Sequence, residues 1–232
     1  MRDGANIEYR AELIRKSIHF CSLSIPVFYT FLSRSTALNI LIPLTASFLL
    51  VDIARHYHAP TAQLFYKIFG LLLRPHEITN KSKPGSIRYK RLNGATNLLL
   101  SATFCVLVFP KIIVISSFAI LIVSDSVAAL VGRRWGRRKF LSKSLEGSVA
   151  FLVSAILVVL VTPKLSSSIG EYGIGAVSAL VGMLIEASAL PVDDNITIPL
   201  SVGGTMWGLY ALFYPTLHKL LGVYQLEMVF AC

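Results

Sequence analysis

The sequence predicts an all-α fold: a polytopic membrane helix bundle of about seven transmembrane helices plus one interfacial helix, in one domain over residues 1–232. Three observations carry this. The 232 residues are 54% hydrophobic and only 15% charged, with a mean hydropathy of +0.66, a composition foreign to soluble domains. Apolar runs near the roughly 20 residues that cross a bilayer recur seven times, and a lipid-spanning chain without a barrel pattern satisfies its backbone only as helix. The bases also alternate by loop. Eighteen of the 22 Lys and Arg lie in the N-terminal segment and in the loops after the second and fourth runs. The intervening loops hold only Arg34, Lys111 and Lys164. Cytoplasmic loops carry the excess of Lys and Arg, so the N-terminus is expected in the cytoplasm and the C-terminus outside.

The spans are expected at about 15–33, 36–54, 94–110, 112–131, 145–162, 172–190 and 197–218. Between the second and third, "HAPTAQLFYKIFGLLLRPHE" is apolar on one face but short, as an interfacial helix is. The polar loop "ITNKSKPGSIRYKRLNG" follows, with Pro84-Gly85 as its turn. The N-terminal "MRDGANIEYRAELIRK" lacks the apolar core and small-residue cleavage site of a signal peptide. Cys21, Cys105 and Cys232 are far apart and form no CxxC, so neither a disulfide framework nor a zinc site is expected. The net charge of +10 would suggest nucleic acid in a soluble protein. Here the bases crowd short loops between apolar runs, which points to membrane topology and an anionic ligand instead.

The acids fall at one depth of this topology. Asp52, Asp125 and Glu186 lie near the cytoplasmic ends of the second, fourth and sixth spans, Glu146 at the start of the fifth, and Asp193, Asp194 and Asn195 in the loop before the seventh. Intramembrane acids are costly and usually face a protein interior or a wet cavity. Convergent carboxylates with a cationic rim suit Mg²⁺ carrying a polyphosphate.

The densest signal is "DSVAALVGRRWGRRKFLSKSLEG", Asp125 to Gly147. Asp125 would hold metal. Gly132 and Gly136 would let backbone approach phosphates. Lys143 and arginines such as Arg137 would neutralise a triphosphate, and Ser144 and Glu146 would cap the next helix, whose N-terminus favours anions. The bland alternative is a positive-inside loop with a tolerated Asp. No GxxxxGK[ST] occurs, so this is not a P-loop. Gly175, Ala179, Gly182 and Glu186 share one helix face, which suits close helix packing. In "PVDDNITIP", Asp194 and Asn195 either join Glu186 on a metal or acceptor, or cap the last span. Lys16 and His19 in "RKSIHF" read as a snorkelling interfacial pair, with phosphate contact as the alternative. "HYH" reads as a membrane-surface loop.

The Asp125–Gly147 stretch resembles the CTP-binding element of the polyprenol kinase family, which includes dolichol, phytol and farnesol kinases and CTP-dependent diacylglycerol kinases. Asp125, Ala128, Gly132, Gly136, Lys143, Ser144, Glu146 and Gly147 fill that element's pattern. Ser142-Lys143 stands where the eukaryotic versions carry two lysines. "RKSIHF" resembles the family's N-terminal Arg-Lys-x-x-His, and "EASALPVDDNITIP" its closing Glu span and Asp-Asn-x-x-x-Pro. The resemblance implies transfer of the γ-phosphate of CTP to a membrane lipid alcohol, an isoprenoid alcohol or diacylglycerol, at the cytoplasmic face. It implies Mg²⁺ on Asp125 with Glu186 and Asp194, and Glu186 or Asp194 as acceptor of the hydroxyl proton. Phosphatidate cytidylyltransferases, in the same superfamily, share the Asp125–Gly147 element. Their long C-terminal signature is absent here, which makes that activity the second reading. An anion transporter is the third, disfavoured because the charges lie on one side rather than along a path through the bilayer.

Overall fold

The computed structural model describes residues 13–58, 60, 61, 63, 65, 67, 92–166, 168–188 and 190–216. The described chain is almost entirely helical. A helical stretch at 13–21 (α1) is followed by α2 (Ser24–Tyr29), α3 (Arg34–Tyr57), α4 (Gly94–Val108), α5 (Lys111–Trp135), α6 (Leu145–Val161), α7 (Ile169–Ala187) and α8 (Asp194–Phe213). Four of these, α3, α5, α7 and α8, are long and apolar enough to cross a membrane, and α4 and α6 are shorter apolar helices. The first expected span is divided between the stretch at 13–21 and the six-residue α2. Most of the expected interfacial helix and of the polar loop after it lies outside the described residues.

Local chemistry sets the helix starts. Each helix from α3 to α8 begins after an extended residue whose side chain, in four cases, accepts an amide hydrogen that helix geometry leaves free: Ser33 from Thr36, Asn93 from Ala95, Ser144 from Gly147 and Asp193 from Asn195. Pro110 precedes α5, where its fixed φ suits a first turn.

α5 is the axis of the bundle. Of its most apolar stretch 78% is buried, against 22% for α3, 39% for α7 and 33% for α8. Ile113, Phe118 and Ile120–Ile122 on α5 pack with Phe151 of α6 and Ile198, Val202 and Tyr210 of α8. The small-residue stripe works by close approach: a Cβ on Gly175 would strike Val159 of α6, and one on Gly182 would come within 2.8 Å of Val202 of α8. Outward faces remain apolar, with Phe31, Leu50, Val153 and Leu157 exposed, as a helix bundle in lipid requires.

Consecutive helices run in opposite directions. Arg34 at the start of α3 donates from Nε to Val106 O at the end of α4 at 2.9 Å. At the other end of the same pair, the Asn93 amide donates to Asp52 Oδ2 at 2.6 Å. Gly132 of α5 faces Gly147 of α6, and Glu171 of α7 meets Tyr210 of α8. Lys16, Asp52, Asp125, Lys143, Glu186 and Asp194 are thereby gathered at one end of the bundle.

Candidate functional site

The charged end is assembled by a feature absent from the sequence reading. Lys139–Phe140 and Lys143–Ser144 form a two-residue antiparallel hairpin between α5 and α6, pairing Lys139 with Ser144 and Phe140 with Lys143. Leu141 in its turn has φ 51°, a left-handed conformation that costs a branched residue roughly 1–2 kcal/mol and signals an imposed geometry. The two-residue turn between the paired strands calls for that conformation, and the end of α7 holds the turn in place: Ser142 donates to Ala187 O from its amide at 3.0 Å and from its hydroxyl at 2.6 Å.

This clamp delivers Lys143 to the carboxylates. Its Nζ lies 2.6 Å from Glu186 Oε1 and 3.1 Å from Asp194 Oδ2. Burial alone would lower the ammonium's pKa, but Asp194 and Glu186 outweigh it, and the pKa stands above its ordinary value. Glu186 is buried, and its Oε2 has no hydrogen-bond partner among the described residues. Asp125 sits at the edge of the same field, acting on Lys143 through space. Its own partner is Lys16, which donates to Oδ2, with His19 Nε2 3.8 Å from the same oxygen.

Lys16 and His19 therefore do not snorkel to an interface. Lys16 is only 6% exposed, because Asp125 offers it a buried counter-charge that the sequence alone does not reveal. The cap of the last helix is neither Asp194 nor Asn195, as expected for a capping loop, but the residue before them. Asp193 is the cap, accepting from the Asn195 amide at 3.0 Å. That leaves Asp194 for Lys143, while the Asn195 side chain donates to Gly94 O at 3.2 Å.

The glycine-rich element divides its labour differently from expectation. A Cβ on Gly132 would lie 2.9 Å from Ser144 Oγ, one on Gly136 2.7 Å from the same oxygen, and one on Gly147 3.0 Å from Ala128 O. These positions seat Ser144 and let α5 and α6 touch. Ser144 caps α6 as expected, accepting from Gly147 N at 3.2 Å. Glu146 turns back instead, accepting from the amides of Arg137 at 3.0 Å and Arg138 at 3.2 Å. The loop thus keeps its shape through its own carboxylate, and the Arg137 and Arg138 side chains remain exposed.

The three carboxylates expected on Mg²⁺ are divided between two cations, Asp125 with Lys16 and Glu186 with Asp194 on Lys143. Among the described residues no three His, Cys, Asp or Glu side chains converge as a ready metal shell. Mg²⁺ does not demand one: it is commonly held by one or two carboxylates plus substrate phosphates and waters. The partnerless Glu186 Oε2, beside a pair of acids already bridged by a cation, fits that description.

Sequence reasoning passed over one more pair. Asp52 and Arg55, both at most 3% exposed, form a buried ion pair one helical turn apart on α3. Asp52 also accepts the Asn93 amide, and the Arg55 guanidinium lies 4.6 Å from the Phe65 ring centroid. The signal was present, an acid and a base at i, i+3 inside an apolar run.

No protein-family profile matches this chain, and no solved structure matches it. It is 30% identical over 196 residues to the Rickettsia prowazekii (strain Madrid E) protein named "Uncharacterized protein RP860", covering 84% of this chain and 92% of that one. Over that length the two share one family, and this chain belongs to it.

Proposed function

We propose that this chain is a CTP-dependent lipid kinase, moving the γ-phosphate of CTP to the hydroxyl of a membrane lipid alcohol. The observation that carries the reading is Lys143, brought by a strained and clamped hairpin to within 2.6 Å of Glu186 and 3.1 Å of Asp194. A cluster of three acids and two lysines, with Lys16, Asp125 and Glu186 buried and Lys143 and Asp194 half-buried, is expensive. Here it stands beside exposed guanidines at the mouth of an apolar bundle. Phosphoryl transfer from a nucleotide to a lipid needs that combination: cations for the phosphates, carboxylates for metal and proton, and a membrane wall for the acceptor. Lys143 and Arg137 would grip phosphates. Glu186 and Asp194, with Asp125, would hold Mg²⁺, which supplies neutralisation of the phosphate charge. Glu186 or Asp194 would take the hydroxyl proton. The resemblance of Asp125–Gly147 to the polyprenol kinase element supports CTP as the nucleotide.

The bundle would complete about seven crossings, with the stretch from 13 to Tyr29 as the first and α4 and α6 as short spans. The charged end would face the cytoplasm. The basic-loop asymmetry and the alternating helix directions support this.

The test is purified protein in vesicles with α- and γ-labelled CTP and a panel of diacylglycerol, phosphatidate and isoprenoid alcohols. Label from the γ position should enter a lipid alcohol with release of CDP. Entry of α-label with pyrophosphate release would replace the kinase by a cytidylyltransferase. Entry of neither label would remove the enzyme.

A further inference from the structure

A cavity of about 570 Å³ opens beside Asp125. At the roughly 30 Å³ that each water takes in the liquid, this holds about twenty non-hydrogen atoms, enough for the polar end of a lipid and its first carbons. Its floor is polar, with Lys16, His19, Thr96, Asp125 and Asn195. Its side wall is apolar, with Ile18, Phe48 and Val51. Those three wall residues are also 48%, 37% and 46% exposed, so the wall stands between the helical stretch at 13–21 and α3, on the face that lipid would cover. The opposite wall is fixed by the pair described above: Asn93 is held by Asp52, and Phe65 lies against Arg55. Lys143, Glu186 and Asp194 lie outside the cavity.

The chemistry of the floor selects among lipids. Lys16 and Asp125 neutralise one another, and on the rim Arg15 and Asp193 again carry opposite charges. What the floor offers is hydrogen bonding: His19 Nε2 and Thr96 Oγ1 are buried without a hydrogen-bond partner among the described residues. Buried polar atoms are rarely left so. A neutral hydroxyl satisfies them, whereas a phosphomonoester would bring two charges to a floor with no surplus cation.

We infer that this cavity seats a neutral lipid alcohol, entering sideways from the bilayer between the stretch at 13–21 and α3, with its hydroxyl hydrogen-bonded to His19 Nε2. The assignment rests on the kinase reading for its purpose, not for its geometry. It seats the acceptor on the cavity side of Asp125, which also acts on Lys143, so that of the three carboxylates in the kinase reading Asp125, rather than Glu186 or Asp194, lies beside the hydroxyl to take its proton.

The experiment is photo-capture in nanodiscs with the full chain and no nucleotide. The probes are diacylglycerol, a twenty-carbon isoprenoid alcohol and phosphatidate, each with a diazirine on its chain. One or both alcohols should label peptides containing Ile18 and Phe48–Val51, saturably, and with competition by the unlabelled alcohol but not by phosphatidate. Val51→Trp should cut that capture about tenfold, and Val153→Trp, on the lipid face of α6, should leave it unchanged. His19→Ala should raise the half-saturating alcohol concentration about five- to tenfold, as loss of one hydrogen bond does, and His19→Gln should restore part of it. Labelling that is unsaturable or even over all exposed helices overturns the assignment, as does preferential capture of phosphatidate. The two readings separate cleanly. Capture as expected without γ-label transfer keeps the cavity and removes the kinase. Transfer of γ-label with capture and turnover untouched by Val51→Trp and His19→Ala keeps the kinase and removes the cavity.

Discussion

Two glutamates on α7, Glu171 near its start and Glu186 near its end, are both buried, yet they are treated in opposite ways. Glu171 is satisfied on every side. It accepts from the amides of Leu165 and Ser166 at 2.8 Å, from Tyr210 Oη at 2.9 Å and from the Ser166 hydroxyl. It fastens Leu165, Ser166 and α8 to the start of α7. Glu186 has Lys143 on Oε1 and no hydrogen-bond partner among the described residues on Oε2. A carboxylate whose every lone pair is spent holds a fold together. One left half-spent next to a cation is unfavourable for the fold and free to meet something else. The difference separates the end of the bundle whose charges are fully satisfied from the end proposed for chemistry.

The bluntest way to break the comparison is sidedness, which is all-or-none. A topology reporter fused after Cys232 should read as external and one fused before Met1 as cytoplasmic; a cytoplasmic reading from both would put the two glutamates on membranes faces other than those proposed. Next in size is Asp125→Asn. It keeps the shape but loses the charge facing Lys16, and should lower turnover roughly 10²- to 10³-fold, the usual loss for a fixed electrostatic group at a reacting centre. The variant should still insert and elute as a folded protein. Near-normal turnover at saturating Mg²⁺ would take Asp125 out of the chemistry.

Lys143→Ala should cost about 2–3 kcal/mol of transition-state stabilisation, roughly 30- to 150-fold, and fall on kcat more than on the KM for CTP. Its pH behaviour follows from the raised pKa. A cation whose folded pKa is raised contributes its full stabilisation below its ordinary value of 10.5 and loses it only as pH climbs through the higher folded value. The gap in thermal stability between wild type and Lys143→Met should therefore stay level from neutral to about pH 10. A gap that closes already at mildly alkaline pH would show that Glu186 and Asp194 do not hold the ammonium.

The glutamates themselves give the sharpest contrast. Glu171→Gln turns one acceptor into a donor against amides that also donate, and should cost about 1–3 kcal/mol of stability while activity per folded molecule persists. Glu186→Gln should lose activity at a smaller stability cost than Glu171→Gln, because it breaks one of Lys143's two contacts while relieving a half-satisfied buried carboxylate. Equal melting shifts for the two would erase the distinction. The smallest effect is Tyr210→Phe, which removes one of the four donors to Glu171 and should cost about 1 kcal/mol, read as a small drop in the midpoint of thermal aggregation.

Much of this was legible in the chain. Helix existence follows from apolar runs of bilayer length, and the start of α6 from Ser144, because capping is a contest settled within four residues; at α8 the cap is Asp193 rather than the expected Asp194 or Asn195. The acids at one depth and the bases beside them were visible for the same reason: position along a helix is position across the membrane. Partnerships were not legible. Lys16 read as an interfacial snorkel until Asp125, 109 residues away, supplied its counter-charge. The hairpin at 139–144 escaped notice because two-residue strands have no periodicity, and its docking on the carbonyl of Ala187 is a tertiary contact. The glycines of the Asp125–Gly147 element looked like room for phosphate. Packing shows that they also make room for Ser144. The sequence by itself determined which groups reach the charged end, since that depends on the local rise of each helix. Which group answers which was left to the tertiary structure, because a buried charge takes the nearest opposite charge in space, and nearness there is set by helix crossings that no local pattern encodes.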